Sequence, residues 1–102
     1  MRVNFWLIGL CMVAGNLSAH SIFVDCKDRA EAVTCQASFS DGSSAENLPF
    51  EVISYEDELL LEGNTDSASA FVFARPQSEF YILLDAGPGH VVEVDMEEIE
   101  AE

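Results

Sequence analysis

Basic residues are scarce in this sequence, and their scarcity argues against two common classes of partner. Only four of the 102 residues are lysine or arginine, whereas nineteen are aspartate or glutamate. The resulting formal charge of −15 repels nucleic acid and anionic lipid, so neither is an expected partner. A charge of this sign attracts cations or a basic protein surface, and it also serves plain solubility.

The sequence also lacks a recognisable catalytic motif. It contains no serine–histidine–acid grouping with a local signature, no phosphate-binding loop and no paired-cysteine zinc pattern. With only two histidines, acid–base catalysis would depend on carboxylates, and the spacing of the carboxylates singles out no pair. We therefore do not expect an enzyme.

Long apolar runs are missing beyond the N-terminus. Arg2, the apolar stretch 5–14 and the small residue Ala19 are typical of a secretory signal peptide, predicted at residues 1–19. The stretch is shorter than the roughly 20 residues of a transmembrane helix, and no later stretch approaches that length. We expect export to the periplasm and no membrane span in the mature chain, with an uncleaved N-terminal anchor as the alternative.

Two of the three cysteines, Cys26 and Cys35, follow the predicted cleavage site. An even pair in an exported protein suggests a disulfide, because that compartment is oxidising. A hairpin centred between Ala30 and Glu31 would set the two cysteines directly opposite each other, close enough for a bridge. A metal-binding or redox role for the pair is the alternative.

Apolar and polar residues alternate along most of the remaining chain, as they do in β-strands. Strands are predicted at 21–26, 33–39, 50–55, 59–63, 70–76, 80–86 and 90–96. Seven short strands without a long amphipathic helix indicate an all-β fold, a small antiparallel β-sandwich of transthyretin-like or immunoglobulin-like type at residues 20–96. Residues 97–102 are expected to form an acidic tail, either frayed or a single helical turn.

The two histidines are the candidate ligands. If cleavage follows Ala19, His20 becomes the first residue, and its amine and Nδ1 can chelate one ion such as nickel, copper, cobalt or zinc. His90 ends the stretch "DAGPGH" (85–90), whose two glycines allow positive φ and whose proline stiffens the turn. Alternatively, His20 is simply the residue after the cut, and His90 is an exposed residue of an ordinary hairpin.

Several segments resemble one family. They are "FSDGSSAEN" (39–47), "EVISYEDELLLEGNTD" (51–66), "FVFARP" (71–76) and "YILLDAGPGH" (81–90), together with the Ala19-His20 start. They are similar to nickel-uptake-associated proteins, the small periplasmic accessory proteins of bacterial nickel and cobalt uptake systems, which are related to transthyretin-like and carboxypeptidase-regulatory-like sandwiches. The resemblance extends from His20 to about Asp95. Ser44 departs from it by replacing a proline, and Ser69 by replacing a glycine.

The resemblance implies an exported accessory protein for the uptake or handling of nickel or cobalt. His20 would supply the amino-terminal chelate and His90 a third nitrogen, while Asp85 would orient an imidazole or hold the turn. The implied protein partner is an energy-coupling-factor type metal permease. Two alternatives stay open: a periplasmic copper-binding carrier that uses the same nitrogens, and a β-sandwich interaction module without a metal that docks on a basic or membrane protein.

Overall fold

The computed structural model describes residues 21–101, which form seven strands and one short 3-10 turn at Met96–Glu98. The strands are β1 (Ile22–Arg29), β2 (Ala32–Phe39), β3 (Pro49–Ser54), β4 (Leu59–Asn64), β5 (Ala70–Ala74), β6 (Phe80–Asp85) and β7 (Val91–Asp95). The predicted signal peptide and His20 lie outside the described residues.

The strands form two antiparallel sheets, and their order confirms the predicted sandwich. One sheet has the order β1-β2-β5 and the other the order β4-β3-β6-β7. Three pairs of consecutive strands are hairpins, whereas the chain crosses between the sheets after β2, after β4 and after β5. Sequence alternation places one face of each strand against the opposite sheet, so the apolar residues meet between the two layers.

The first hairpin confirms the predicted pairing of the cysteines. Cys26 lies directly opposite Cys35, and the two form a disulfide with Cα atoms 4.0 Å apart. The turn contains only Ala30 and Glu31, both with positive φ. The strands predicted at 21–26 and 33–39 leave residues 27–32 as a polar turn, and this was wrong, because the polar end of β1 pairs with β2 up to Arg29.

Aromatic rings fill the centre of the core. Phe50 of β3 stacks on Phe71 of β5 with ring centroids 4.1 Å apart, which joins the two sheets. Phe73 lies 6.2 Å from Phe71 and meets Phe80 edge-on at 6.0 Å. Such offset and edge-on contacts add to the free energy gained from burying the rings. The other buried apolar residues of the core cluster are Cys26, Val33, Cys35, Ala37, Ala45, Val52, Ile82, Leu84, Val94 and Ile99.

Thr65 connects two of the crossover loops at one end of the sandwich. Its buried hydroxyl donates to the carbonyl of Ala45 at 2.6 Å and accepts from the amide of Leu48 at 2.8 Å. Ser69 has a φ of 63° and accepts a hydrogen bond from the Ala45 amide. Thr65 therefore has a structural role in this chain.

The end of the chain, predicted as either a frayed tail or a helical turn, takes the second form and packs on the fold. Asp95 caps the 3-10 turn by accepting from the Glu97 amide. Ile99 is buried in the core, and Glu100 forms a parallel bridge with Lys27. The ordered structure thus continues to Glu100, beyond the predicted end of the sandwich at residue 96.

One feature bears on the compartment. The Cys26–Cys35 disulfide is compatible with an extracellular or periplasmic location, where such bonds persist. Within residues 21–101, no helix has both the length and the apolar character required to cross a membrane.

Candidate functional site

The turn between β6 and β7 is closed by its own hydrogen bonds. The Asp85 carboxylate accepts from the Gly87 amide at 2.9 Å. The Ala86 amide donates to the His90 carbonyl and the His90 amide donates to the Gly87 carbonyl, both at 2.8 Å. Gly87 and Gly89 have φ values of 110° and 80°, which only glycine adopts without strain. Asp85 was predicted either to orient an imidazole or to hold the turn, and its hydrogen bond with the Gly87 amide holds the turn.

The imidazole of His90 is half-buried at the end of this turn. Its Nδ1 lies 3.1 Å from the Pro88 carbonyl oxygen. A carbonyl only accepts hydrogen bonds, so this contact assigns a proton to Nδ1, and Nε2 is the nitrogen left unprotonated in the neutral tautomer. This is the tautomer that a histidine needs in order to ligate a metal through Nε2 while a backbone carbonyl fixes its ring.

The start of β1 lies at the end of the sandwich that carries the 86–90 turn. Ser21 exchanges hydrogen bonds with Ser40, which begins the crossover from β2 to β3. That crossover is joined to the loop after β4 through Thr65. β3 begins at the same end, where Phe50 pairs with Leu84 close to the end of β6.

β1 and β7 are edge strands of opposite sheets that run in the same direction along one side of the sandwich. They contact each other. Beyond β7 the chain pairs parallel to β1, where the Asp28 amide donates to the Glu100 carbonyl at 2.9 Å and the Glu100 amide to the Cys26 carbonyl at 3.0 Å. His90 immediately precedes β7, and His20 stands one residue before Ser21 in the sequence.

The described residues do not by themselves complete a metal site. In residues 21–101, no group of three histidine, cysteine, aspartate or glutamate side chains is arranged to hold an ion. His90 and Asp85 flank the same turn, but His20, the third residue of the predicted site, lies outside the described residues. Cys26 and Cys35 are joined to each other, which overturns the alternative of the pair as metal ligands.

A second surface, not predicted from the sequence, lies on the outer side of the four-stranded sheet. Cross-strand pairing places Glu62, Glu51, Leu83 and Glu93 in one row across the sheet. We call this row, with Asp85 beside it, the acidic sheet face. The strand alternation contained a signal for it, since these residues occupy outward positions, but only the register brings them together.

A groove of about 540 Å³ runs across this face. Pro49, Leu83 and Val91 contribute apolar walls, and Val91 is 58% exposed. The carboxylates that line the groove are Glu51, Glu62 and Asp85. The groove thus combines an apolar surface with negative charge, and it ends beside the 86–90 turn.

Two tyrosine–aspartate hydrogen bonds lie on the same side of this sheet, at the end where β3 and β7 finish. Tyr55 donates its phenol to Asp95 at 2.6 Å, which raises the pKa of Tyr55 to about 12 and lowers the pKa of Asp95. Tyr81 donates to Asp57 at 3.2 Å. Desolvation, followed by this hydrogen bond, raises the pKa of Tyr81. The phenols thus remain neutral donors well into the alkaline range.

Tyrosinate should therefore form unusually late in the folded domain. The raised native pKa values mean that the unfolded state loses its phenol protons first, so stability is retained below pH 10 and falls as the pH rises from about 10 towards 12. Trp6 lies within the predicted signal peptide, so ultraviolet absorbance of the mature chain reports the two tyrosines cleanly. Asp95→Asn should lower the apparent pKa of Tyr55 towards 10, whereas Asp25→Asn should not. Equal curves for all three proteins would contradict this electrostatic account.

Comparison with known proteins gives no identification. No family model matches the sequence, and neither a curated protein nor a solved structure matches it. The resemblance to nickel-uptake-associated proteins therefore stays a prediction.

Proposed function

We propose that this chain is an exported accessory protein for the uptake or handling of a divalent transition metal, nickel or cobalt, with His20 and His90 as the ligands. The observation that carries the proposal is the common end of the sandwich at which β1 and β7 begin. In the sequence, His90 comes immediately before β7, and His20 comes two residues before β1. The proposal thus assigns two ligands that are distant in sequence to the starts of two strands that contact each other.

The chemistry of the 86–90 turn supports the choice of metal. The Pro88 carbonyl holds the proton of His90 on Nδ1, which leaves Nε2 to bind the ion. Asp85 contributes by fixing the turn through the Gly87 amide rather than by direct ligation. A histidine amine with two imidazoles forms a nitrogen-rich set, which suits nickel, cobalt and copper better than magnesium or calcium.

Periplasmic location and a permease partner complete the proposal. The disulfide supports an oxidising compartment. The strongly negative charge raises the local concentration of cations, which favours a protein that meets metal ions outside the cytoplasm. The partner we propose is an energy-coupling-factor type metal permease, which would receive the ion.

The decisive test is calorimetric titration of the mature chain, beginning at a verified His20, with nickel, cobalt and copper in turn. We expect one ion per chain. His90→Ala and His20→Ala should each weaken binding roughly 100-fold, because each removes a nitrogen ligand. Asp85→Ala should weaken binding by about tenfold, because it removes the carboxylate that accepts from the Gly87 amide and fixes the turn. The order of affinities decides between an uptake protein for nickel or cobalt and a copper carrier.

Two controls separate a defined site from general attraction to the acidic surface. A chain with an added methionine before His20 keeps both imidazoles but moves the terminal amine, so it should lose affinity as His20→Ala does. Glu56→Gln, in the exposed β3–β4 turn at the opposite end of the sandwich from the 86–90 turn, should bind as the wild type does. Weak binding of many ions that none of the histidine substitutions alters would disprove the proposal.

A further inference from the structure

We propose that the acidic sheet face is a docking site for a protein partner, which inserts a short extended segment carrying alternating basic and apolar side chains into the groove. The groove shares Asp85 with the 86–90 turn but includes neither histidine, and its occupation requires no metal. The carboxylates of the groove select a basic partner, and its apolar walls select aliphatic side chains.

Charge is segregated between the two sheets. The three basic residues that follow residue 19 are Lys27 and Arg29 of β1 and Arg75 directly after β5, so all three belong to the three-stranded sheet. The acidic sheet face on the opposite side carries Glu51, Glu62, Asp85 and Glu93. This distribution gives the domain a negative pole on one broad face, which selects a basic partner and orients its approach.

Like charges are placed side by side within this face. Glu51 lies directly opposite Glu62 in the β3–β4 register, an arrangement that destabilises an antiparallel sheet when no cation lies between the two carboxylates. Arg75 is instead engaged elsewhere, since it forms an ion pair with Asp28 and lies over the Phe80 ring. A lysine or arginine from a partner would relieve the repulsion between the two glutamates, and this relief would stabilise the complex.

The apolar walls specify more than a counter-ion. Leu83 lies between Glu51 and Glu93 in the same row, and Val91 and Pro49 border the groove. The volume of about 540 Å³ lies within the range of sites that enclose a small ligand or a few side chains. An alternating basic and apolar segment places charges on the carboxylates and aliphatic groups on these walls, as strand-like peptides do in other recognition sites.

The test uses one defined probe, the pentapeptide acetyl-Lys-Leu-Lys-Val-Lys-amide, added to isotope-labelled mature protein in the presence of EDTA. We expect shifts of backbone amide signals confined to β3, β4, β6 and the start of β7, with affinity that decreases as salt is added. The double variant E51Q/E62Q should bind about tenfold more weakly. Leu83→Ser should weaken binding at unchanged charge, because it removes an apolar wall.

The matched control is E46Q/E56Q, which also removes two negative charges, but from exposed loop and turn positions outside the groove lining. An equal loss of affinity in this control would mean that net charge alone attracts the peptide, and the proposal would be overturned. Shifts spread over both sheets would overturn it as well. Concentration-dependent self-association that E51Q/E62Q abolishes would identify a second copy of the chain as the occupant and would also contradict the proposal. Because EDTA removes metal ions, failure here is independent of the histidine site.

Discussion

Replacement of Phe80 by alanine is expected to lower the free energy of unfolding by about 3–5 kcal/mol. Phe80 is 0% exposed and belongs to the central strand β6. Its ring meets Phe73 edge-on at 6.0 Å, and the Arg75 guanidinium lies 5.3 Å from its centroid. Truncation therefore removes apolar burial, an aromatic pair and a cation–π contact together.

The effect is measured by chemical denaturation of the mature chain, with two companion variants. Phe80→Leu retains most of the buried volume and should cost less than half as much as Phe80→Ala. Phe23→Ala removes the same atoms from a side chain that is 57% exposed, so we expect a change within about 0.5 kcal/mol. Similar losses for Phe23→Ala and Phe80→Ala would contradict the assignment of the core.

Most of the fold could be predicted because strand alternation is a local property. The stretch 33–39 alternates between Val33, Cys35 and Ala37 on one face and polar residues on the other, and it forms β2 as expected. The end of β1 was missed because Lys27 and Arg29 look like turn residues in isolation. Pairing with β2 and the bridge to Glu100 extend the strand through them, and both interactions depend on residues distant in sequence.

The candidate site was only partly predictable for the same reason. His90 could be selected because its glycine-rich turn is a local motif, and the turn has the bonds that such a motif suggests. The acidic sheet face could not be selected, since Glu51, Glu62 and Glu93 come from three separated strands. The alternation of a strand shows which of its residues point outward. Which residues of different strands become neighbours depends on strand order and register, and alternation does not specify these.

Reduction of the Cys26–Cys35 disulfide should have the second large effect and should lower the free energy of unfolding by about 2.5–3 kcal/mol in the chain-entropy account. The bond closes a short loop, with a sequence separation of 9 residues. The loop contains a turn that is unfavourable on its own, because Ala30 and Glu31 both adopt the left-handed region without being glycine. Cross-linking keeps this turn from opening in the unfolded ensemble. For a domain of about 80 residues, the expected fall in melting temperature is roughly 10–20 °C.

The measurement is thermal unfolding of the mature chain with and without reductant, after thiol labelling has verified complete reduction. The double variant C26A/C35A should melt near the reduced wild type, and reductant should leave its melting temperature unchanged. A third protein, Glu31→Gly, isolates the turn: glycine relieves the positive φ in the native state of the oxidised and the reduced chain alike, so this variant should lose about as much stability on reduction as the wild type does. An identical melting temperature for oxidised and reduced wild type would contradict the prediction. A large dependence on oxidation means that the domain keeps its full stability only where thiols are oxidised, which ties the stability of the sandwich to the compartment in which we propose that it works.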